Sequence, residues 1–264
     1  MNDIAIDDDS ELKVNNRNGV LHLFINREAK RNALNDRVAA AICAALATPP
    51  ADARVVLLSS MGSKVFCAGA DLAVMTNDNT GIEQHESRGG VRQIIVAMRE
   101  CPLPVVVRVQ GLCLAGGVGI VLGADLVIAA ESAQFGLPEI SLGLWPFMVS
   151  VLLAHHTSPK IAMDLMLTGR RVQGPEALAL GLVSRVVPDH ELDHEVDAVL
   201  ADLAAAAPLA ASRGKAAFWG LQSNQTTAAL IAMQAQLTLL TQSTDAAEGI
   251  SAFFEKRPPQ WQGR

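Results

Sequence analysis

Pro104-Val-Val-Val-Arg-Val-Gln-Gly-Leu-Cys-Leu-Ala-Gly-Gly-Val-Gly119 runs a β-branched strand into a glycine-rich turn, which leads into a further apolar segment. Pro104 to Val109 reads as a buried strand, and Ala115-Gly-Gly-Val-Gly119 as the turn that opens the next element. The same grammar recurs on both sides. Gly19-Val-Leu-His-Leu-Phe-Ile25, Val55-Val-Leu-Leu58 and Asp125-Leu-Val-Ile-Ala129 are strand-like. Apolar residues fall at helical spacing from Leu34 through Val38, Ile42 and Leu46, and again at Val91, Ile94, Ile95 and Met98, ending near Cys101-Pro102. Residues 72–90 are polar and contain glycine, so a mobile loop or loosely packed helix is expected there. This alternation from about 19 to 187 predicts an α/β layered domain.

After Pro188 the chain turns Ala- and Leu-rich, which predicts several helices and no strand from His190 to Lys256. The expected organisation is a flexible acidic leader over 1–15, an α/β core over 16–190 and a helical C-terminal subdomain over 191–264 of the same domain. Half of the 264 residues are hydrophobic, enough for a sizeable core. Lys plus Arg number 21 against 27 Asp plus Glu, a net charge of −6 that argues against general nucleic-acid binding. Aromatics make up 4% and tyrosine is absent, which disfavours base-stacking platforms. Cys43, Cys67, Cys101 and Cys113 form no C-x-x-C pair and read as reduced thiols of a cytoplasmic protein. The acidic N-terminus is unlike a signal or transit peptide, and the uncharged, glycine-rich stretch Val109 to Ala124 is too short for a membrane span.

Three features can carry chemistry. Phe66-Cys-Ala-Gly-Ala-Asp71 and Gly111-Leu-Cys-Leu-Ala-Gly-Gly-Val-Gly119 are glycine turns after buried strands, where a ligand can approach the backbone and helix-start N–H groups point outward. Two N–H groups converging on one point would stabilise an oxyanion. Neither turn has the spacing of a dinucleotide fingerprint or a Walker loop. The third feature is Glu139, within the otherwise uncharged Phe135-Gly-Leu-Pro-Glu-Ile-Ser-Leu-Gly143. A carboxyl group in apolar surroundings has a raised pKa, which suits proton transfer near neutral pH.

Taken together, these segments resemble the crotonase superfamily, the enoyl-CoA hydratases and isomerases, from about Val20 to Lys256. Asn26-Arg-Glu-Ala-Lys-Arg-Asn-Ala-Leu34 is similar to that family's N-R-P-x-x-x-N-A-L segment, with Glu28 in place of proline. Phe66 to Leu72 resembles F-x-A-G-A-D-[IL]. Gln110 to Gly119 resembles N-G-x-x-x-G-G-G, with Ala115 at the first glycine, and Ala133 to Glu139 resembles A-x-F-x-x-P-E. Leu167-Thr-Gly169, Ala179 to Pro188 and Glu248 to Lys256 match its C-terminal patterns. The resemblance implies an α/β spiral of ββα units with a helical C-terminal subdomain, usually a trimer or a dimer of trimers. It implies an acyl-CoA thioester substrate, as in fatty acid metabolism, with no cofactor beyond that CoA and no metal. It assigns the N–H groups of Ala70 and Gly116 to an oxyanion hole and Glu139 to acid–base work. Lys30, Arg31, Ala33, Ala68, Ala70, Asp71, Leu72 and Gly116 would line the CoA site, and Lys256 could reach a CoA phosphate.

The departures bear on the reaction. Two-carboxylate hydratases of this family hold one Glu just after the Gly-Gly turn, where this chain has Gly119. Glu139 alone suits a 1,3-proton shift better than hydration, which needs one group to activate water and another to handle the proton. The rival expectation, drawn from Gly119, Ala73 and the rebuilt Trp145-Pro-Phe-Met148 segment, is a CoA-ester binder without catalysis. The bulky residues of that segment should narrow the acyl pocket. Arg108 is expected to pair with a buried acid rather than with substrate. Glu83, His85 and Glu86 read as solvated, His190 and His194 as an exposed helix start rather than a metal pair, and His155-His156 as packing or surface.

Overall fold

The computed structural model describes residues 10–72, 81–221 and 223–264. In chain order the elements are β1 (Leu12–Arg17), β2 (Val20–Ile25), α1 (Asp36–Ala47), β3 (Val55–Ser60), β4 (Val65–Cys67), α2 (Gly81–Ser87), α3 (Gly90–Glu100), β5 (Val105–Val109), β6 (Leu112–Leu114), α4 (Gly116–Gly123), β7 (Leu126–Ala130) and β8 (Gln134–Gly136). There follow α5 (Phe147–His156), α6 (Pro159–Thr168), β9 (Arg171–Gln173), α7 (Gly174–Ala179), β10 (Arg185–Val187), α8 (Leu192–Ala205), α9 (Pro208–Gly220), α10 (Ser223–Leu240) and α11 (Thr244–Glu255).

The strands divide between two sheets in alternation. One sheet has the order β1-β2-β3-β5-β7-β10 and the other β4-β6-β8-β9. Each of the pairs β3–β4, β5–β6 and β7–β8 sends its first strand to the larger sheet and its second to the smaller, and helix follows before the next pair. β3, buried along its whole length, pairs in parallel with β2 and β5, as expected of a strand covered on both faces. The smaller sheet is parallel through β4, β6 and β8, so the three turns after these strands emerge at one end of it. Ligands in α/β sheets bind at the carboxyl ends of strands, and here the three motifs read from the sequence all follow such ends.

The expected leader is corrected at its C-terminal end. Leu12 is buried and opens β1, which pairs antiparallel with β2 from Leu12↔Ile25 to Arg17↔Val20. Asn18 and Gly19, at φ +52° and +78°, make the two-residue turn, a strong hairpin signal. Glu11 is no solvated acid. It accepts Arg27 Nε at 2.7 Å and Asn35 Nδ2 at 3.0 Å, and the Asn35 hydrogen bond, aided by Arg27, lowers its pKa. Asp7 to Asp9 lie outside the described residues. So do 73–80 of the polar stretch 72–90 expected to be loop or helix; most of its remainder forms α2 and the start of α3.

Asn32 ties the 26–35 segment beneath the smaller sheet. It is fully buried at φ +52°, and its amide donates to Val65 O at 2.8 Å and Met61 O at 3.0 Å while its Oδ1 accepts Arg27 N at 3.0 Å. Asn32→Ala takes a hydrogen-bond partner from the Met61 carbonyl and the Arg27 N–H, leaves Val65 O with its bond from Ser60 Oγ at 3.3 Å, and puts alanine in a left-handed conformation. The expected loss is about 3 kcal/mol or more, read as a lower urea midpoint at unchanged slope.

After β10 the described residues are helical with no further strand, in line with the expected helical segment. Lys215 of α9 reaches back to Asp125 Oδ2 at 2.7 Å and donates to the Met98 and Leu103 carbonyls, fastening the C-terminal helices to the end of α3. Cys67, Cys101 and Cys113 are buried free thiols, and Cys43 is half-buried. No helix among the described residues is long and apolar enough to cross a membrane.

Candidate active site

β4 ends at Cys67, and the chain turns through Ala68-Gly69-Ala70. Leu34 N donates to Gly69 O and Asp71 N to Leu34 O, both at 2.8 Å, and this bridge leaves the Ala70 N–H without an acceptor among the described residues. Cys67 Sγ accepts the Gly69 N–H at 3.4 Å and steadies the turn; burial holds this thiol protonated, its pKa pushed up to about 12. After β6, Ala115 adopts φ +52°, ψ −125°, a conformation suited to glycine, and caps α4. Gly116 is the first residue of that helix, where an N–H has no partner within the helix, and it too finds no acceptor among the described residues.

The two turns touch. A Cβ on Gly69, which sits at φ +95°, would lie 2.6 Å from Ala115 Cβ and 3.2 Å from Gly116 N; one on Gly116 would lie 3.7 Å from Ala70 N. Glycine at 69 is what allows the two unpaired N–H groups to stand side by side.

Glu139 follows β8 in a short 3-10 helix, Pro138–Leu142, which Gly143 ends at φ +66°. The residue is partly accessible as a whole, but its Oε2 is enclosed and has no hydrogen-bond partner. Burial therefore raises the pKa of the carboxyl from 4.5 to about 8.

Glu139, Ala70 and Gly116 line one cavity of about 270 Å³. Trp145, Phe147 and Met148 wall it, as expected of the bulky segment, and Leu237 of α10 and Phe253 of α11 close it. Gly119 does not reach it. A side chain there would meet Val91 Cγ1 at 3.2 Å and Val149 Cγ2 at 3.3 Å, and both valines line the cavity. The place of a second carboxylate is thus an apolar wall.

Of the residues picked from the sequence, Arg31, Ala68, Ala70, Leu72, Gly116 and Glu139 face this cavity. Lys30, Ala33 and Asp71 do not: Lys30 is exposed, Ala33 is buried, and Asp71 accepts Arg27 Nη2 at 3.0 Å. Ala73 lies outside the described residues. Arg108 does pair with an acid, Asp193 at 2.7 Å, but that acid is exposed rather than buried. His85 Nδ1 lies 3.0 Å from Thr238 Oγ1, so it is not simply solvated, and Glu83, His85 and Glu86 all stand outside the cavity lining. His190 is exposed beside α8, and no group of three metal-ligating side chains occurs among the described residues. Lys256 caps α11 in a left-handed conformation, away from the cavity. Sequence reading missed Arg171, Leu237 and Phe253, which line the cavity from distant elements and carry no local motif.

Residues 15–264 match the family model described as enoyl-CoA hydratase/isomerase. The chain is 35% identical over 248 residues to a putative enoyl-CoA hydratase of Thermus thermophilus, an alignment covering 90% of this chain and 96% of that one. It is 33% identical over 258 residues to the 2,3-dehydroadipyl-CoA hydratase of Escherichia coli, covering 97% and 100%. Among solved structures, an enoyl-CoA hydratase/isomerase from Pseudoalteromonas atlantica superposes with a TM-score of 0.86 at 33% identity, over 96% of this chain and all of that one. Alternating delivery of strands to two sheets, three motifs at one sheet end and near full-length similarity agree: the chain belongs to the enoyl-CoA hydratase/isomerase family of the crotonase superfamily, whose enzymes act on CoA esters, and it has the crotonase fold.

Proposed function

We propose that this protein holds the thioester carbonyl of an acyl-CoA between the Ala70 and Gly116 N–H groups and uses Glu139 as its single proton-transfer group. The favoured reaction is the shift of a 3-enoyl-CoA to the conjugated 2-enoyl-CoA. Glu139 carboxylate takes a proton from C2, and the C–H electrons pass into a dienolate whose negative charge rests on the thioester oxygen. The same carboxyl returns the proton to C4, the C2=C3 bond forms, and the carboxylate is regenerated. Each N–H donor aimed at the developing oxyanion contributes roughly 3–4 kcal/mol to the transition state. Arg31 at the cavity edge would serve the CoA moiety. The protein would act as a homotrimer or dimer of trimers in the cytoplasm, with no cofactor beyond its substrate's CoA.

One observation carries this reading: the enclosed, unpartnered Oε2 of Glu139 shares a mostly apolar cavity with two unpaired N–H groups, while Val91 and Val149 occupy the space before Gly119. A hydratase would need a second group there to hold water. The test is incubation with crotonyl-CoA and, separately, a 3-enoyl-CoA, following conjugated-thioester absorbance with Glu139→Gln alongside. Gain of absorbance from the 3-enoyl ester, lost in the variant, is expected. Glu139-dependent loss of crotonyl-CoA absorbance would replace the isomerase with a hydratase that lacks the second Glu. Silence on both, with CoA esters still bound, would leave a non-catalytic binder.

A further inference from the structure

Two cations line the cavity, Arg31 and Arg171, and neither has a side-chain partner among the described residues. Their sequence neighbours differ. Arg27 is held by Glu11 and Asp71, and Arg170 by Asp164 at 2.6 Å and Glu176 at 2.7 Å. Arg27 and Arg170 are thus engaged, whereas Arg31 and Arg171, both exposed residues, present their guanidinium groups at the cavity without an ion-pair partner among the described residues.

The placement of Arg171 is built into the sheet. It pairs with Gly136 across β8–β9, and Gly136 pairs with Leu114 across β6–β8, so the three positions share one face. With no side chain at Gly136, the stem of Arg171 lies over that strand: a Cβ there would stand 3.1 Å from Arg171 Cγ and 3.3 Å from Leu114 Cδ2. Leu114 and Arg171 therefore meet over the glycine, and both line the cavity.

The strand order gives the direction of the substrate. Across the smaller sheet, β4 is followed by Ala68 and Ala70, with Arg31 of the segment after β2 held beside them by the Ala68 N–H to Arg31 O hydrogen bond at 3.1 Å; β6 is followed by Gly116, β8 by Glu139, and β9 begins with Arg171. With CoA on the Arg31 side and the carbonyl between the β4 and β6 turns, the acyl chain passes Glu139 and heads for β9. One strand spacing, about 5 Å, separates β8 from β9, the reach of a few carbon–carbon bonds. We infer that Arg171 receives a carboxylate at the far end of a short acyl chain, so that the substrate class is dicarboxylyl-CoA esters. A planar guanidinium with free donors suits a carboxylate, and the rest of the acyl wall is apolar and would hold the methylenes between.

This inference rests on the CoA-ester reading above, and binding separates the two without requiring turnover. The saturated esters adipyl-CoA and hexanoyl-CoA, matched in chain length, are titrated calorimetrically into the wild type, Arg171→Met, Arg171→Lys and Arg31→Met. The wild type should prefer adipyl-CoA by roughly 10–100-fold, the range of one charged hydrogen-bonded contact. Arg171→Met should collapse that ratio toward one, Arg171→Lys should restore part of it, and Arg31→Met should weaken both esters while keeping the ratio. A wild-type ratio near one, or a ratio untouched by Arg171→Met, overturns the inference alone. Equal weakening of both esters by Arg171→Met reassigns the arginine to a CoA phosphate and likewise overturns it. Failure of both esters to bind the wild type brings down the CoA-ester reading, and this inference with it.

Discussion

Glu139→Gln should abolish most of the isomerisation and at the same time make the protein more stable in alkaline solution. The first effect follows from loss of the only carboxyl that lines the cavity among the described residues; a positioned acid–base group is worth about 10²–10⁴ in rate. The second follows from burial. The Glu139 pKa stands at about 8 in the folded protein against an ordinary 4.5, so the native state binds this proton more tightly than the unfolded chain. The stability linked to that proton is fully present below pH 4.5 and drains away as pH rises to about 8; above that the charged carboxylate is carried at full cost. The span corresponds to on the order of 5 kcal/mol, a large part of a typical domain's total. Glutamine stays neutral throughout. Urea unfolding at pH 4.5 should therefore find the two proteins similar, and at pH 9 the variant should be ahead by several kcal/mol. In the wild type, kcat/KM on a 3-enoyl ester should rise with pH and level off above about 8, because the base must be ionised to accept the C2 proton. An alkaline stability gap of zero would mean that Glu139 is solvated in solution, and the single-base reading would lose its physical ground.

The cost of keeping Glu139 buried also explains which parts of the site could be read from the chain. Its isolation among Leu137, Pro138, Ile140 and Leu142 is local, so the sequence displays it. The two glycine turns are equally local. The strands that deliver them, β4, β6 and β8, are three residues each, too short for any periodic signal, so the sheet that gathers the motifs was not visible. Asn18-Gly19 is a hairpin signal, but the run of acids Asp7 to Asp9 and Glu11 ahead of β1 has the composition of a leader. Arg171 resembles any surface arginine until β9 is paired with Gly136. Leu237 and Phe253 join the cavity only because α10 and α11 fold back over it, a contact between distant segments that no local pattern encodes. Gly119 is instructive in the other direction. The sequence showed that a carboxylate was missing there, and the fold adds that Val91 and Val149 have taken its room, so the loss goes with a repacked wall rather than an empty slot.

Gly69→Ala should cost turnover heavily, because its methyl group enters the contact between the two turns. At φ +95° an alanine is strained on its own account, and the methyl would stand 2.6 Å from Ala115 Cβ, 3.2 Å from Gly116 N and 3.2 Å from Leu114 O. Two of those three atoms are backbone and cannot swing aside, so relief requires the two turns to separate. Separation misaligns the Ala70 and Gly116 donors together. Losing one such donor costs roughly 10²–10³ in kcat, and losing the pairing of two should cost at least as much. Stability should fall by more than about 1 kcal/mol, because the gain that alanine brings at a compatible conformation turns into a larger loss where φ is positive. Binding of the CoA ester, spread over the Arg31 side and the acyl wall, should weaken far less than turnover. Ala115→Gly is the informative companion. It removes the nearest atom and releases a residue held at φ +52°, so in the double variant kcat should recover in part, limited by the remaining approach to Gly116 N. Wild-type kcat in Gly69→Ala would show that the contact between the turns does not position the reacting carbonyl. A loss confined to stability, with kcat intact at permissive temperature, would assign the turns to the fold alone.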